Sequence, residues 1–264
     1  MWRKLATLTL FLLIPAAASL LTACGGGAPE ETAARTAPAS PAPAARPAAA
    51  PVPVSPPAQR PASPAPARQD SGDEPLVVFL GDSLTAGLGL EAAQAYPARV
   101  EEALDGTGEP VRILNAGVSG DTTAGGLSRL SWILKQKPDV LVVGLGANDG
   151  LRGLPLEETE KNLREILRRG QEAGARVLLL GMRIPPNYGE YADRFAEMYP
   201  RVAKDMDVTL VPFLLEGVGG VAQLNQADGI HPTAEGQEIL AKNVVPYLRT
   251  VLSQEEARAA AGAS

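Results

Sequence analysis

Five short apolar runs, each separated from the next by a longer amphipathic stretch, constrain this chain more than any other feature. Leu76 to Leu80, Val140 to Val143 and Val177 to Leu180 are continuous rather than alternating, and Val111 to Leu114 and Val208 to Val211 are broken only by Arg112 and Thr209. That is the pattern of strands buried on both faces. Between and after them, apolar spacing predicts helices over 95–104, 124–136, 156–170, 189–205 and 234–252, the last with Thr233 as its N-cap. Strand and helix in alternation imply a parallel sheet covered on both faces, a three-layer α/β/α sandwich of about five strands. The folded domain is expected to span 75–252, with 253–264 as a flexible C-terminal tail.

The sequence before residue 75 cannot belong to that core. Arg3 and Lys4 precede an apolar stretch from Leu5 to Leu21, the layout of a secretion signal over 1–24. A short membrane-spanning anchor is the competing reading, but Pro15 interrupts the stretch and Gly25-Gly26-Gly27 follow it. Leu21-Thr22-Ala23-Cys24 resembles the lipobox of bacterial lipoproteins. The resemblance implies cleavage before Cys24 and acylation of its thiol and new amino group, which would anchor the chain to a membrane. Cys24 is the only cysteine, so no intrachain disulfide can form. Residues 25–74 are almost wholly Pro, Ala, Gly and Ser with scattered charges and no aromatic residue. They bury too little apolar surface to offset ordering entropy and read as a disordered tether. In polyproline II such a tether rises roughly 3 Å per residue and reaches on the order of 100 Å. The net charge of −6 argues against a nucleic-acid partner, and no Cys/His metal cluster is present.

In open parallel sheets, ligands bind beyond the carboxyl ends of the strands. Four polar, glycine-bearing segments fall there. They are Gly81-Asp82-Ser83-Leu84, Asn115-Ala116-Gly117 running on to Asp121, Gly144-Leu145-Gly146-Ala147-Asn148-Asp149, and Asp228-Gly229-Ile230-His231. They contain the parts of an acyl-transfer site. Ser83 is the candidate nucleophile and His231, the only histidine of the chain, the candidate base. Asp228, three residues upstream, can orient the imidazole. The backbone N–H groups of Ser83 and Gly117 and the side-chain amide of Asn148 are candidate oxyanion donors. Each has a blander reading taken singly. Asp82 and Ser83 can cap a helix, Gly117 can be a turn glycine, and Asn148 can close an Asx-turn. Ser119, Asp121, Thr122 and Thr123 read as loop capping that supports the site. No Gly-x-Ser-x-Gly elbow surrounds Ser83.

The four segments, in this order, resemble the four blocks of the SGNH, or GDSL, hydrolase superfamily, over essentially all of 76–252. The resemblance implies a flavodoxin-like α/β/α sandwich and esterase activity without metal or organic cofactor. It also implies the roles just given for Ser83, Asp228, His231, Gly117 and Asn148. Gly120 to Leu127 and Ile184-Pro185-Pro186-Asn187-Tyr188-Gly189 look like the bacterial multifunctional thioesterase, arylesterase and lysophospholipase branch. In that branch the matching loop shapes acyl-chain binding, so Ile184, Pro185, Pro186, Asn187 and Tyr188 are expected to bind substrate. The expected protein is a monomeric, exported esterase, lipid-anchored through Cys24 to the bacterial cell envelope, acting on small-molecule or lipid esters. The alternatives are a carbohydrate O-acetyl esterase, a non-catalytic lipid-binding lipoprotein, and a phosphoryl-transfer site built from Asp82, Asp149 and Asp228, which lacks a Walker-type phosphate loop.

Overall fold

Val, Leu and Ile crowd the strands and drive the sheet to the middle of the molecule. The computed structural model describes residues 74–262, with side chains to Ser253. The strands are β1 (Leu76–Gly81), β2 (Arg112–Gly117), β3 (Val140–Gly144), β4 (Arg176–Leu180) and β5 (Thr209–Val211). All pair in parallel, in the order β2-β1-β3-β4-β5. Val77 to Leu80, Val140 to Val143 and Leu178 to Leu180 have no accessible surface. Each such side chain stabilises the fold by about 1.5–3 kcal/mol relative to leaving it exposed.

The helices are α1 (Ser83–Ala86), α2 (Tyr96–Asp105), α3 (Thr123–Leu134), α4 (Ala147–Leu151), α5 (Leu156–Glu172), α6 (Glu190–Met206) and α7 (Ala234–Gly262). They pack in two groups, α2 on α7, and α3 on α5 on α6. In α5, Leu156, Thr159, Leu163, Ile166, Leu167 and Gly170 form one buried stripe. Glu157 and Glu158 in its first turn and Arg169 in its last complement the helix dipole.

The strand order decides where a site can be. β1 lies between β2 and β3, so the chain leaves it first to one side and later to the other. The resulting switch point opens a crevice at the carboxyl ends. There Gly81 of β1 registers with Gly117 of β2 and Gly144 of β3. No side chain from these three positions fills the crevice.

Three boundaries differ from the sequence expectation. β2 continues through Asn115, Ala116 and Gly117, because the ladder with β1 supplies backbone partners that residue type alone does not reveal. The five-residue helix α4 is too short for periodicity to show. Helix α7 runs to Gly262, past the expected helix end at 252. The apolar stripe stops near Leu252, but the Glu, Arg and Ala residues beyond it are strong helix formers by intrinsic propensity. The expected signal sequence, Cys24 and the expected tether up to residue 73 lie outside the described residues. No described helix is long and apolar enough to cross a membrane.

Candidate active site

Beyond Gly81 the chain turns sharply into α1. Asp82 is the N-cap, its Oδ1 accepting the Leu84 N–H at 3.0 Å. Ser83 is therefore the first residue of α1, set at the carboxyl edge of a buried strand and 9% exposed. Side chains from distant segments fix this turn. Thr85 Oγ1 meets the Tyr96 hydroxyl at 2.9 Å, and Gln237 Nε2 donates to the Leu84 carbonyl at 3.2 Å.

The histidine arrives on the long loop between β5 and α7. His231 Nε2 lies 2.9 Å from Ser83 Oγ, and His231 Nδ1 lies 2.6 Å from Asp228 Oδ2. The two oxygens of Asp228 divide the work. Oδ1 accepts the N–H groups of Ile230 and His231 at 2.9 and 3.0 Å, closing a tight turn that aims the imidazole. Hydrogen bonds from the His231 backbone and then from its ring hold the Asp228 carboxyl down to about 2. It is ionised across the neutral range, so Oδ2 can only accept. Nδ1 then carries the proton, and Nε2 is left as the acceptor for the Ser83 hydroxyl.

Gln226, which sequence reasoning passed over, anchors this loop. Its N–H donates to the His231 carbonyl at 2.7 Å, and its Nε2 donates to the carbonyls of Leu88 at 2.7 Å and Pro232 at 3.0 Å. Leu88 follows α1, so one side chain ties the histidine loop to the nucleophile turn. Thr233 caps α7 as expected, accepting the Gly236 N–H at 3.3 Å.

Asp82 does more than cap. Its carboxyl is 1% exposed, and its Oδ2 accepts Asn148 Nδ2 at 3.4 Å. Burial, only partly offset by the Leu84 N–H and the neighbouring imidazole, raises its pKa to about 7. The bond holds the Asn148 amide against Asp82, the neighbour of Ser83 in sequence, and an NH₂ group has a second proton to offer elsewhere.

Gly117 is placed differently from the sequence expectation. Its N–H donates to Asn115 Oδ1 at 2.9 Å, while Asn115 Nδ2 donates to the Thr85 carbonyl at 2.8 Å. A Cβ at 117 would lie 2.3 Å from the Ala86 nitrogen, so glycine here allows β2 to approach α1. Its amide thus already has a protein acceptor in Asn115 Oδ1. Three residues on, Gly120 has φ 80°, and its N–H meets no protein acceptor among the described residues. Its carbonyl accepts Arg152 Nη2 at 2.9 Å. A glycine at 120 was visible in the sequence, but only the hydrogen bonds of the folded chain show which of the two amides lacks a protein acceptor among the described residues.

The other polar residues have separate tasks. Thr122 caps α3 through the Gly125 N–H at 3.2 Å. Asp149 is buried and accepts the N–H and hydroxyl of Thr123 at 2.9 and 2.6 Å. Asp82, Asp149 and Asp228 each serve different partners and form no common phosphoryl-transfer centre. In the segment 184–188, Ile184 is buried while Pro185, Pro186 and Asn187 are exposed. Tyr188 is 36% exposed, and its hydroxyl donates to the Leu151 carbonyl at 2.8 Å. The loop thus leans on α4, the helix that carries Asn148.

Comparison with known proteins identifies the family. The chain is 45% identical over 178 residues to esterase TesA of Pseudomonas aeruginosa, covering 67% of this chain and 89% of that one. It is 40% identical over 181 residues to thioesterase 1/protease 1/lysophospholipase L1 of Escherichia coli K12, covering 68% and 86%. The crystal structure of TesA superposes with a TM-score of 0.65 at 44% identity, over 67% of this chain and 99% of that one. Residues 79–239 match the GDSL-like lipase/acylhydrolase family. With a parallel five-stranded sheet and a serine, histidine and aspartate joined at its carboxyl edge, the protein belongs to that family and is a GDSL-type ester hydrolase.

Proposed function

We propose that Ser83, His231 and Asp228 form the catalytic triad of a lipid-anchored esterase acting on acyl esters of the lysophospholipid, aryl ester or acyl-thioester class. The observation that carries this is the unbroken hydrogen-bond chain from Ser83 Oγ through both imidazole nitrogens to Asp228. Ser83 Oγ attacks the acyl carbon while His231 Nε2 takes its proton. Asp228 stabilises the imidazolium that forms. The carbonyl oxygen becomes an oxyanion, held by the Asn148 amide, the Ser83 N–H in the first turn of α1, which the Asp82 cap on Leu84 leaves available, and the Gly120 N–H in place of that of Gly117. Collapse expels the alcohol or thiol, which leaves with the proton from His231. Water then repeats the sequence on the Ser83 acyl-enzyme and releases the acid.

Exposed apolar groups support an acyl substrate. Ile230, between the two loop members of the triad, is 49% exposed, and Tyr188 and Leu154 are 36% exposed. The lipobox-like Leu21 to Cys24 supports export and anchoring to the cell envelope, with the tether giving the domain reach along a membrane surface. The test is a panel of p-nitrophenyl esters, acyl-CoA, lysophospholipid and acetylated sugars, run on wild type and Ser83→Ala, with a fluorophosphonate to titrate Ser83. Ser83-dependent turnover of long-chain esters is expected. A preference for acetylated sugars would replace the substrate class, and turnover surviving Ser83→Ala would remove the triad.

A further inference from the structure

One guanidinium outside the triad gathers three acceptors at the switch point of the sheet. Arg129 lies in the second turn of α3, and its side chain runs back toward the helix N-terminus, as helical side chains do. Nη2 donates to the Gly81 carbonyl at 3.0 Å, Nη1 to the Ala116 carbonyl at 2.7 Å, and Nε to Asp121 Oδ2 at 2.8 Å. Gly81 is two residues before Ser83, Ala116 is near the end of β2, and Asp121 directly follows Gly120. The guanidinium and the carboxylate are 22% and 11% exposed. Asp121 is itself held, its Oδ1 accepting the Thr122 N–H at 3.1 Å. Gly125 leaves room for that oxygen, since a Cβ there would lie 1.8 Å from it. The Gly81 carbonyl also accepts the Val118 N–H at 3.0 Å, so the guanidinium reinforces the point where β1 meets the 118–121 loop. The planar fork of an arginine can bind both strand ends and the loop at once.

We infer that Arg129 is a positioning residue that sets the distance between the Ser83 hydroxyl and the Gly120 amide by locking β1, β2 and the 118–121 loop into one unit. The inference rests on the esterase reading above. It adds that oxyanion stabilisation depends on a group that touches no substrate. An ammonium cannot span three divergent acceptors, so lysine does not substitute for arginine here. Misplacing a reacting group by ~1 Å costs about 10²-fold in rate.

The experiment compares full-length wild type, Arg129→Ala, Arg129→Lys and Asp121→Asn on a neutral p-nitrophenyl ester. Fluorophosphonate titration counts competent sites in each preparation. The expected result is kcat per titrated site about 10²-fold lower in Arg129→Lys with KM little changed, and a smaller loss of kcat in Asp121→Asn. Arg129→Ala adds the same loss if it folds, and the two other variants decide the matter if it does not. Unchanged kcat per titrated site in both, with only the titre or Tm reduced, would show that the cluster serves stability alone. A loss falling on KM instead would equally overturn the inference. Failure of the wild type to titrate at Ser83 would instead overturn the esterase reading, so the two failures are told apart.

Discussion

Replacing Asp82 by asparagine should change how stability depends on pH, by an amount the structure specifies. The carboxyl is 1% exposed, and burial lifts its pKa from 3.8 to about 7. At 1.36 kcal/mol per pH unit, that rise corresponds to about 4 kcal/mol against the ionised form in the native state. The folded pKa lies above the unfolded one, so between the two values the native state binds more protons. Wild-type stability therefore carries the full benefit of a neutral Asp82 below about pH 4 and loses it progressively up to about pH 7. Asparagine keeps the size and an acceptor for the Leu84 N–H but does not titrate. Any constant difference in hydrogen bonding cancels when the two proteins are compared across pH. Unfolding in urea at pH 4, 5.5, 7 and 8 should show Asp82→Asn gaining about 4 kcal/mol on wild type from the lowest to the highest pH. With a urea slope of about 2 kcal/mol/M, the relative midpoint moves by about 2 M. A stability difference that stays flat from pH 4 to pH 8 would refute the claim that this carboxyl is buried without an adequate partner.

Asp228→Asn replaces the acceptor facing Nδ1 with an amide that can also donate, favouring the wrong tautomer; kcat should fall by about 10⁴-fold, as in another serine hydrolase triad, and steady-state kinetics at pH 7.5 checks it. Asn148→Ala removes one oxyanion donor and should lower kcat by roughly 10²–10³-fold with little change in Tm; a kcat near wild type would take Asn148 out of the site. Tyr188→Phe deletes the hydroxyl that bonds the Leu151 carbonyl, a bond worth about 1 kcal/mol. Chain-length preference on p-nitrophenyl esters should shift while acetyl ester turnover holds, and an unchanged profile would count against acyl binding by the 184–188 loop. Cys24→Ala should leave soluble ester hydrolysis unchanged and move the protein out of the membrane fraction, since dual acylation gives stable anchoring where a single chain is marginal.

Residue type and spacing alone carried much of this protein. Short, β-branched continuous runs such as Val140 to Val143 suit strands covered on both faces, because no solvent-facing position is left for a polar side chain. Those runs imposed the parallel sheet, and the carboxyl-edge rule then gathered Ser83, Asn148 and His231. The Asp228 to His231 spacing was equally legible, since a three-residue turn lets one carboxylate bond both backbone and imidazole. The tertiary structure decided what depends on partners distant in sequence. The Thr85 carbonyl, 30 residues away, holds the Asn115 amide that takes the Gly117 N–H, while that of Gly120 meets no protein acceptor among the described residues. Burial, which no local pattern reports, turns Asp82 from a helix cap into a carboxyl titrating near neutrality. Gln226 and Arg129 look like ordinary surface residues in the sequence. Their importance comes from carbonyls at Leu88, Gly81 and Ala116, which the fold brings within hydrogen-bond reach and local sequence does not reveal. Apolar periodicity is a local property and can be read along the chain, whereas a hydrogen bond across 48 residues exists only once the sheet has closed around it.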